Sequence, residues 1–451
     1  MVSTKRLQRI TAAATTLTLT TALAACGGVS IGPPAASGTD IMIWSTSQPG
    51  SAQDVMQRII DEHNATYPGG GNVSITWIGG EQWKQKMAVA MAGNQEPTVF
   101  YNYGGQLLHQ WVDGGGVADL TAELQADPEW TGQYAAKDVF GNATFDGKIY
   151  GIPASGPDFE VLWQNEAVLR NAGADPSPAT WDDFIRVADQ VQATGVAPVA
   201  LAGKDLWPCM IWMQYLVLRH GGPEPFERVK AMEPDAWSDP AFLTAAETVQ
   251  QMVRSGYFAE GWNTISYQGG QADQQLASGQ AAFQAMLYYD LANMRAFAPE
   301  FANSPDYSPA PFPTVAGGLG DPTAMVGQPA QYWSISARAS DEQKEEALAF
   351  LESATTSEAY NIDYLAKQGF TPLTNSGAAA LTAGDVPNGE LLARLYRMGV
   401  EASSFQSYWD QDLPSAVITP LMTDIGELFN LSITPQEFVT RMNAVLAEQS
   451  K

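Results

Sequence analysis

Amides, hydroxyls and an aromatic ring stand together at the ends of two predicted strands. Ser47 and Gln48 follow the apolar run 41–44, and Asn102 and Tyr103 follow the third predicted strand of the chain. A ring stacks on an apolar face of a ligand, while amide and hydroxyl groups bond its polar rim. Open α/β sheets bind ligands beyond the C-terminal ends of their strands, so we expect these four side chains to line a binding site. Their chemistry suits a ligand that has both an apolar face and hydrogen-bonding groups.

Catalytic and metal chemistry find less support in the sequence. A glycoside hydrolase needs two carboxylates held at a fixed separation, and the 49 acidic residues keep that alternative open. His63, His109 and His220 show no metal-ligand spacing, and no Gly-rich phosphate loop with a following Lys-Ser/Thr occurs. We therefore predict a binding protein without catalysis, metal or cofactor.

The charge balance restricts the partners of the chain. Forty-nine acidic residues against 23 basic ones give a formal net charge of −26. Nucleic-acid binding needs Lys and Arg to neutralise phosphates, so we expect no nucleic-acid partner. The scarcity of Lys and Arg also argues against an anionic ligand.

The N-terminus carries an export pattern. Basic residues precede an apolar stretch from Ile10 to Leu23, which is too short to span a bilayer. Leu23-Ala24-Ala25-Cys26 resembles the bacterial lipobox, which implies that Cys26 is acylated and becomes the mature N-terminus. We predict a signal peptide over 1–25, a flexible tether over 26–38, and lipid anchoring at the extracytoplasmic face of the cell membrane. With Cys26 acylated, Cys209 is expected to be an unpaired, buried residue.

Alternation of strands and helices predicts the fold class. Short apolar runs at 41–44, 73–77 and 98–101 are separated by segments with apolar residues at helical spacing, which indicates βαβ units and a largely parallel sheet. Thr180-Trp181-Asp182-Asp183 and Ser340-Asp341-Glu342-Gln343 have the pattern of helix N-termini. The Pro-rich passage 299–313 is expected to be a linker between units.

Four stretches resemble the extracellular solute-binding proteins of ATP-driven importers, specifically the sugar-binding group that includes maltose-binding proteins. They cover nearly the whole mature chain in the order and spacing of that family. They are the helix and strand entry from Trp83-Lys84-Gln85-Lys86-Met87 to Gly93-Asn94-Gln95-Glu96-Pro97-Thr98-Val99; Asp146-Gly147-Lys148-Ile149-Tyr150-Gly151-Ile152-Pro153 followed by Trp163-Gln164-Asn165; Pro178-Ala179-Thr180-Trp181-Asp182-Asp183-Phe184; and Leu276-Ala277-Ser278-Gly279-Gln280-Ala281-Ala282-Phe283. Thr98 departs from the family, which usually has Asp there.

The resemblance implies an α/β, two-lobed, periplasmic-binding-protein-like fold of type II, each lobe a largely parallel sheet flanked by helices and joined by a hinge. It places the N-terminal lobe at 39–155 and 312–358, and the C-terminal lobe at 156–311 and 359–451. It further implies a monomer that binds a disaccharide or short oligosaccharide in the cleft and delivers it to the permease subunits of an ABC transporter. A non-sugar solute, either a polyamine or a polyol phosphate, is the alternative ligand.

The resemblance also indicates which residues are expected to line the cleft. Asp158 and Glu160 follow the stretch where the family crosses between lobes, Asp205 and Trp207 lie where its members have a cleft loop, and Tyr289 matches its cleft aromatic. Tyr332 lies on a segment that lines the cleft in the family. Near the C-terminus, Trp409 in the aromatic–acid cluster Tyr408-Trp409-Asp410 is expected to cover the ligand.

Overall fold

The computed structural model describes residues 38–46, 51–67, 71–383 and 386–449. The predicted signal peptide, Cys26, residues 27–37 of the predicted tether, and the candidate residues Ser47 and Gln48 lie outside the described residues. The strands in chain order are β1 Ile41–Thr46, β2 Val73–Ile78, β3 Val99–Asn102, β4 Thr144–Phe145, β5 Lys148–Ile149, β6 Ile152–Pro153, β7 Asp158–Asn165, β8 Ala197–Val199, β9 Ala281–Leu287, β10 Tyr307–Ala310, β11 Met325–Gln328, β12 Tyr332–Ile335 and β13 Phe405–Gln406.

Helices account for most of the remaining regular structure, and they flank the sheets. In chain order they are α1 Ala52–Thr66, α2 Gly80–Ala92, α3 Gly105–Asp113, α4 Thr121–Ala126, α5 Pro128–Thr131, α6 Glu166–Asn171, α7 Trp181–Ala193, α8 Trp207–Gly221, α9 Glu224–Lys230, α10 Pro240–Arg254, α11 Gln271–Ala277, α12 Asp290–Phe297, α13 Pro299–Ala302, α14 Asp341–Thr356, α15 Asn375–Ala380, α16 Gly389–Glu401, α17 Trp409–Asp412, α18 Ser415–Phe429 and α19 Pro435–Gln449. A π-helix covers Ala359–Leu365.

The first sheet has the strand order β2-β1-β3-β12-β6. Strands β1, β2 and β3 are parallel, as the alternation of strands and helices predicts, while β12 runs antiparallel to both β3 and β6. Its apolar side chains form one core with the helices around it. We call this sheet and its core the first lobe.

The second sheet has the order β13-β11-β7-β9-β8, and β10 also pairs with β7. Strand β7 pairs antiparallel with β9, β10 and β11, whereas only β8–β9 and β11–β13 are parallel pairs. The expected largely parallel sheet is therefore wrong for this second lobe. Every residue of β7 is buried, as in a strand of a parallel sheet, so burial gives no sign of its antiparallel partners.

Two segments lie in a different lobe from the one their predicted boundaries give. Strand β11, inside the expected N-terminal segment 312–358, pairs with β7 of the second lobe. A side chain at Gly327 would meet the carbonyl oxygen of Asp158 at 2.2 Å, so glycine is needed for this pairing. Conversely, Tyr360, Tyr364 and Leu365 follow the expected boundary at 358 but pack in the first core.

Local signals in the sequence match the structure at several other points. The Thr180 side chain accepts a hydrogen bond from the backbone N–H of Asp183, and Ser340 forms a capping box with Gln343. Cys209 is buried in the second core, as expected. The Pro-rich passage is not a linker, because it contains α13 and β10. Pro309 is tolerated in β10 because this strand pairs on one side only, with β7.

The lobes also contact each other where α17 of the second lobe meets the N-terminus of α3 in the first. Asp412 accepts a hydrogen bond from the backbone N–H of Gln106 at 3.3 Å and pairs with Lys230 Nζ at 2.7 Å. Asn142 donates to Ser407 at 3.3 Å beside it. The space between the lobes is therefore bounded by direct polar contacts.

Candidate functional site

A cavity with two adjoining compartments, of about 300 and 480 Å³, lies between the lobes. Both volumes fall in or near the range of small-molecule sites. Side chains that border both compartments are Tyr103, Tyr267, Gln268, Tyr289 and Gln331. The smaller compartment is completed by Lys84, Asp158, Glu160, Trp207, Met210, Leu287, Tyr408, Asp410 and Gln411. The larger one is completed by Thr46, Tyr101, Ser155, Ala292, Asn293, Tyr364, Leu365 and Phe370.

The turn after β3 presents Tyr103 to the cavity. Asn102 is fully buried and does not line the cavity, contrary to the expectation; its amide donates to Ser334 Oγ at 2.8 Å and its Oδ1 accepts from Gly104 N–H at 2.9 Å. Gly104 has φ +72°, and a Cβ there would lie 2.6 Å from the carbonyl oxygen of Asn142. Asn102 thus fixes the turn, and Tyr103 projects from it edge-on to Trp83.

Gln331 links the two lobes at the cavity wall. Its Oε1 accepts a hydrogen bond from the Tyr101 hydroxyl of the first lobe, and its Nε2 donates to Asp158 Oδ2 of the second at 2.8 Å. Burial raises the pKa of Asp158 from 3.8 to about 6, although hydrogen bonds from Tyr408, Gln331 and Gln328 lower it. A fraction of this carboxyl group is therefore protonated in mildly acidic conditions.

Glu160 lies two residues further along β7 and points to the same side of the sheet as Asp158. Burial, with the charges of Asp410 and Asp158, raises the pKa of Glu160 well above its ordinary value of 4.5. Its side chain is only 3% exposed, and its Oε2 has no hydrogen-bond partner among the described residues. A buried polar atom without a partner is costly, so this oxygen is a candidate acceptor for a ligand donor.

Aromatic rings from the second lobe form the opposite wall. Trp207 begins α8 directly after Leu206, whose φ of +65° is unusual for a branched residue and turns the chain sharply into the helix. The Trp207 ring stands at 74° to that of Tyr267, with centroids 4.9 Å apart. Tyr289 follows β9 and packs beside Phe370. Asp205 does not line the cavity as expected, because its Oδ2 accepts from the Tyr267 backbone N–H at 2.7 Å and so holds that loop.

Two predicted site residues are buried in the cores instead. Tyr332 is fully buried in the first lobe, and its hydroxyl donates to the Val139 carbonyl at 2.9 Å. Trp409 is fully buried in the second lobe, stacked on Phe226 at 5.5 Å. The cavity is bordered instead by Gln331, which precedes Tyr332, and by Tyr408 and Asp410, which flank Trp409.

The structure brings together five of the predicted residues, namely Tyr103, Asp158, Glu160, Trp207 and Tyr289. Sequence reasoning missed others. Gln331, Tyr408 and Asp410 stood one position from predicted residues, so their signal was present but assigned to the wrong neighbour. Lys84 and Tyr267 follow no predicted strand, and the strand-end rule gave no reason to select them.

The arrangement suits recognition of a neutral or cationic polyol. Rings on two walls offer stacking faces, and amide and carboxyl groups between them offer hydrogen-bond donors and acceptors. Within the described ranges, no group of three or more His, Cys, Asp or Glu side chains is placed to hold a metal ion.

Parts of the chain are similar in sequence to known bacterial proteins. The chain is 30% identical over 160 residues to a probable sugar-binding periplasmic protein of Mesorhizobium japonicum, covering 36% of this chain and 35% of that relative. A protein of the same description from Rhizobium meliloti is 23% identical over 252 residues, covering 55% and 59%. The chain thus aligns with about a third to three fifths of the length of these relatives.

Solved structures match over almost the whole fold. A protein from work on xylan utilization by Caldanaerobius polysaccharolyticus has a TM-score of 0.75 and 25% identity, covering 90% of this chain and 99% of its own. A chitin oligosaccharide binding protein has a TM-score of 0.76 and 20% identity, covering 91% and 99%. The fold is therefore α/β and that of the type II solute-binding proteins. Residues 49–361 match the model of the bacterial extracellular solute-binding proteins, and the chain belongs to that family.

Proposed function

We propose that this protein is a receptor that binds a disaccharide or short oligosaccharide in the cavity between its lobes and delivers it to the permease of an ABC importer. The observation that carries the proposal is the lining itself: Tyr103, Trp207 and Tyr289 supply rings from both lobes, with Asp158 and Gln331 between them. A sugar presents apolar C–H faces to rings and hydroxyls to carboxyl and amide groups. Relatives named as sugar-binding proteins, and a similar fold solved in complex with raffinose, support the ligand class.

Ligand contacts from both lobes favour one relative placement of the lobes. The bond from Gln331 to Asp158 and the bond from Tyr101 to Gln331 connect the lobes beside the cavity. A ligand that bridges Tyr103 and Tyr289 adds contacts that exist only when the lobes are close. We infer that sugar binding stabilises the closed arrangement, and that this arrangement is the one the permease recognises.

Membrane attachment completes the proposed role. Acylation of Cys26 would tether the receptor to the extracytoplasmic face of the membrane as a monomer. Among the helices of residues 38–46, 51–67, 71–383 and 386–449, none has the length and apolar character needed to cross a bilayer. Cys26 lies outside these residues, so its acylation rests on the lipobox resemblance.

A cationic solute such as a polyamine is the second candidate. Asp158, Glu160 and Asp410 all border the smaller compartment, where Lys84 is the only Lys or Arg among the described lining residues. Carboxylates between aromatic rings also suit an ammonium group. The same charges disfavour a polyol phosphate. A glycoside hydrolase is the third alternative, because Asp158 and Glu160 are two carboxyl groups in one cavity.

Titration calorimetry of the purified protein tests the proposal. The panel contains maltose, trehalose, cellobiose, xylobiose, raffinose and glucose, with spermidine and glycerol phosphate as non-sugars. We expect saturable binding of one sugar, recovered unchanged afterwards by NMR. Binding of spermidine alone would support the cationic solute, and conversion of a sugar into products would support the hydrolase.

A further inference from the structure

The short helix α17 takes part both in the cavity and in the contact between the lobes. Asp410 and Gln411 border the smaller compartment, whereas the next residue, Asp412, borders neither compartment. Asp412 contacts the N-terminus of α3 in the first lobe instead. The buried Trp409 anchors α17 in the core of the second lobe. One helical turn therefore connects the wall of the cavity to the opposite lobe.

Asp412 caps α3 from the opposite lobe. The first N–H groups of a helix have no partner inside the helix, and the N-cap residue of α3, Gly104, has no side chain that could accept from them. Asp412 Oδ1 accepts from one of these groups, the backbone N–H of Gln106, at 3.3 Å. A negative charge is also favourable at the N-terminus of a helix. An aspartate of the second lobe thus supplies the cap that a helix of the first lobe lacks.

Gly105 allows the carboxyl group of Asp412 to come this close. A Cβ at position 105 would lie 3.1 Å from Asp412 Oδ1, which is closer than ordinary van der Waals contact. Gly105 also has a φ of +61°, a conformation that residues with a side chain rarely adopt. Any larger residue at this position would therefore crowd Asp412 and weaken the contact between the lobes.

Lys230 holds the Asp412 side chain in place from within the second lobe. Its Nζ lies 2.7 Å from Asp412 Oδ2 and 3.4 Å from Glu227 Oε1. Burial lowers the pKa of Lys230, but the charges and hydrogen bonds of Asp412 and Glu227 outweigh burial, so the pKa is raised and the ammonium group stays charged. One carboxyl oxygen of Asp412 is thus paired within its own lobe, and the other bonds the opposite lobe.

We propose that Asp412 is a positioning residue for ligand binding, which holds the lobes in the closed arrangement by capping α3 and does not touch the ligand. This inference rests on the proposed receptor function and assigns the closure of the cavity to one contact. The chain passes between the lobes from β6 to β7, from β11 to β12, and between Leu365 and Leu381. Asp412 and Gln106 are distant in sequence from these passages, so their contact can break when the lobes separate.

Loss of the Asp412 side chain should weaken binding through faster release of the ligand. An enclosed ligand leaves when the lobes separate, and a contact that holds the lobes together slows this step. Since a helix cap is lost, Asp412→Ala should lower sugar affinity roughly fivefold to thirtyfold, mostly through the dissociation rate. Asp412→Asn can still accept from Gln106 and should lie between Asp412→Ala and the parent protein. Calorimetry and stopped-flow tryptophan fluorescence measure both quantities, with the tightest-binding sugar among maltose, trehalose, cellobiose, xylobiose and raffinose.

Two further variants separate this role from a change in fold. Gly105→Ala disturbs the same contact from the first lobe, and in a double-mutant cycle its effect on affinity should be smaller when residue 412 is already changed to alanine. Asp424→Ala is the matched control. Asp424 is also buried and lies 3.1 Å from Arg441 Nη1, but both partners belong to the second lobe. This control should change neither the sugar affinity nor the dissociation rate.

Small-angle X-ray scattering of the purified protein without sugar measures the separation of the lobes independently of any ligand. We expect Asp412→Ala to have a larger radius of gyration than the parent protein, because its lobes separate more often. Asp424→Ala should have the radius of gyration of the parent.

The outcomes distinguish this inference from the proposed function. A larger radius of gyration together with faster sugar release in Asp412→Ala supports the inference. Either an unchanged radius of gyration or an unchanged rate of release overturns it and leaves the sugar receptor intact. If none of the sugars binds to the parent protein, the proposed ligand fails, and the radius of gyration alone decides whether Asp412 holds the lobes together.

Discussion

Replacing Asp158 by asparagine should stabilise the ligand-free protein at neutral pH. Burial raises the pKa of Asp158 from 3.8 to about 6, so the folded state holds its proton more tightly than the unfolded state does. Stability therefore falls as pH rises from about 4 to about 6, and the full penalty applies above that window. At about 1.4 kcal/mol per pKa unit, the penalty is about 3 kcal/mol.

Asparagine keeps the shape of the side chain and never ionises. Its Oδ1 can accept the hydrogen bond from Gln331 Nε2 that Asp158 Oδ2 now accepts. With an unfolding entropy of about 2.1 cal/mol/K per residue over roughly 400 folded residues, the gain raises Tm by about 3 to 4 °C. At about pH 4 the gain should vanish, because the aspartate is then protonated in the folded state.

Differential scanning calorimetry at the two pH values measures this effect. Asp183→Asn is the control, in which the expected change in Tm has the opposite sign. Hydrogen bonds from Arg186 and Thr180 lower the pKa of Asp183, so the ionised Asp183 stabilises the fold at pH values above its ordinary pKa. That variant should have a lower Tm at neutral pH. If Asp158→Asn melts at or below the melting temperature of the parent protein at neutral pH, the argument that the buried Asp158 carboxylate lowers the stability is refuted.

Three further substitutions test how the site is built. Tyr289→Ala should lower sugar affinity at least tenfold in calorimetry, by loss of a stacking face, while far-UV circular dichroism stays unchanged; equal affinity would remove Tyr289 from the site. Trp409→Ala should destabilise the second lobe by about 3 to 5 kcal/mol in urea unfolding, because the ring is fully buried; a loss of affinity without a loss of stability would contradict its place in the core. Gly104→Ala should lower both stability and affinity, because the new Cβ meets a backbone carbonyl beside Tyr103. Gly115 has a similar φ of +67° but open space around it, so the control Gly115→Ala should lower only the stability, by about 1 kcal/mol. Equal losses of stability and affinity in the two variants would argue against the close contact at Gly104.

The elements of the first lobe were predictable because they depend on local signals. The apolar runs that become β1, β2 and β3 are short and separated by helical spacing, and Ser340 caps α14. The same kind of local signal, Thr180, caps α7 in the second lobe. Strand direction in the second lobe was not predictable. Strand β7 is buried on both faces, and none of its residues specifies antiparallel partners.

The sequence indicated the segments that form the candidate site, but in several of them it selected the residue next to the one that borders the cavity. Gln331 faces the cavity while Tyr332 packs in the first core, because successive residues near a strand point to opposite faces. Tyr408 and Asp410 likewise border the cavity on either side of the buried Trp409. The family resemblance and the strand-end rule indicated these segments, but the register that selects among neighbouring residues is set by tertiary pairing.

Two segments lie in a different lobe from the predicted one for a related reason. Strand β11 and the helix 359–365 lie close to the points where the chain passes between lobes, and both contain apolar residues that either core could bury. Glycine at 327 allows β11 to approach β7, but a single glycine in a sequence does not specify which strand will lie beside it.

A crystal structure of the protein with its tightest-binding sugar would test the central claim most directly. The account predicts a sugar ring between Tyr103 of the first lobe and Tyr289 of the second, with a polar group of the sugar within hydrogen-bond distance of Asp158. A sugar bound elsewhere on the molecule, with this cavity filled only by water, would contradict it.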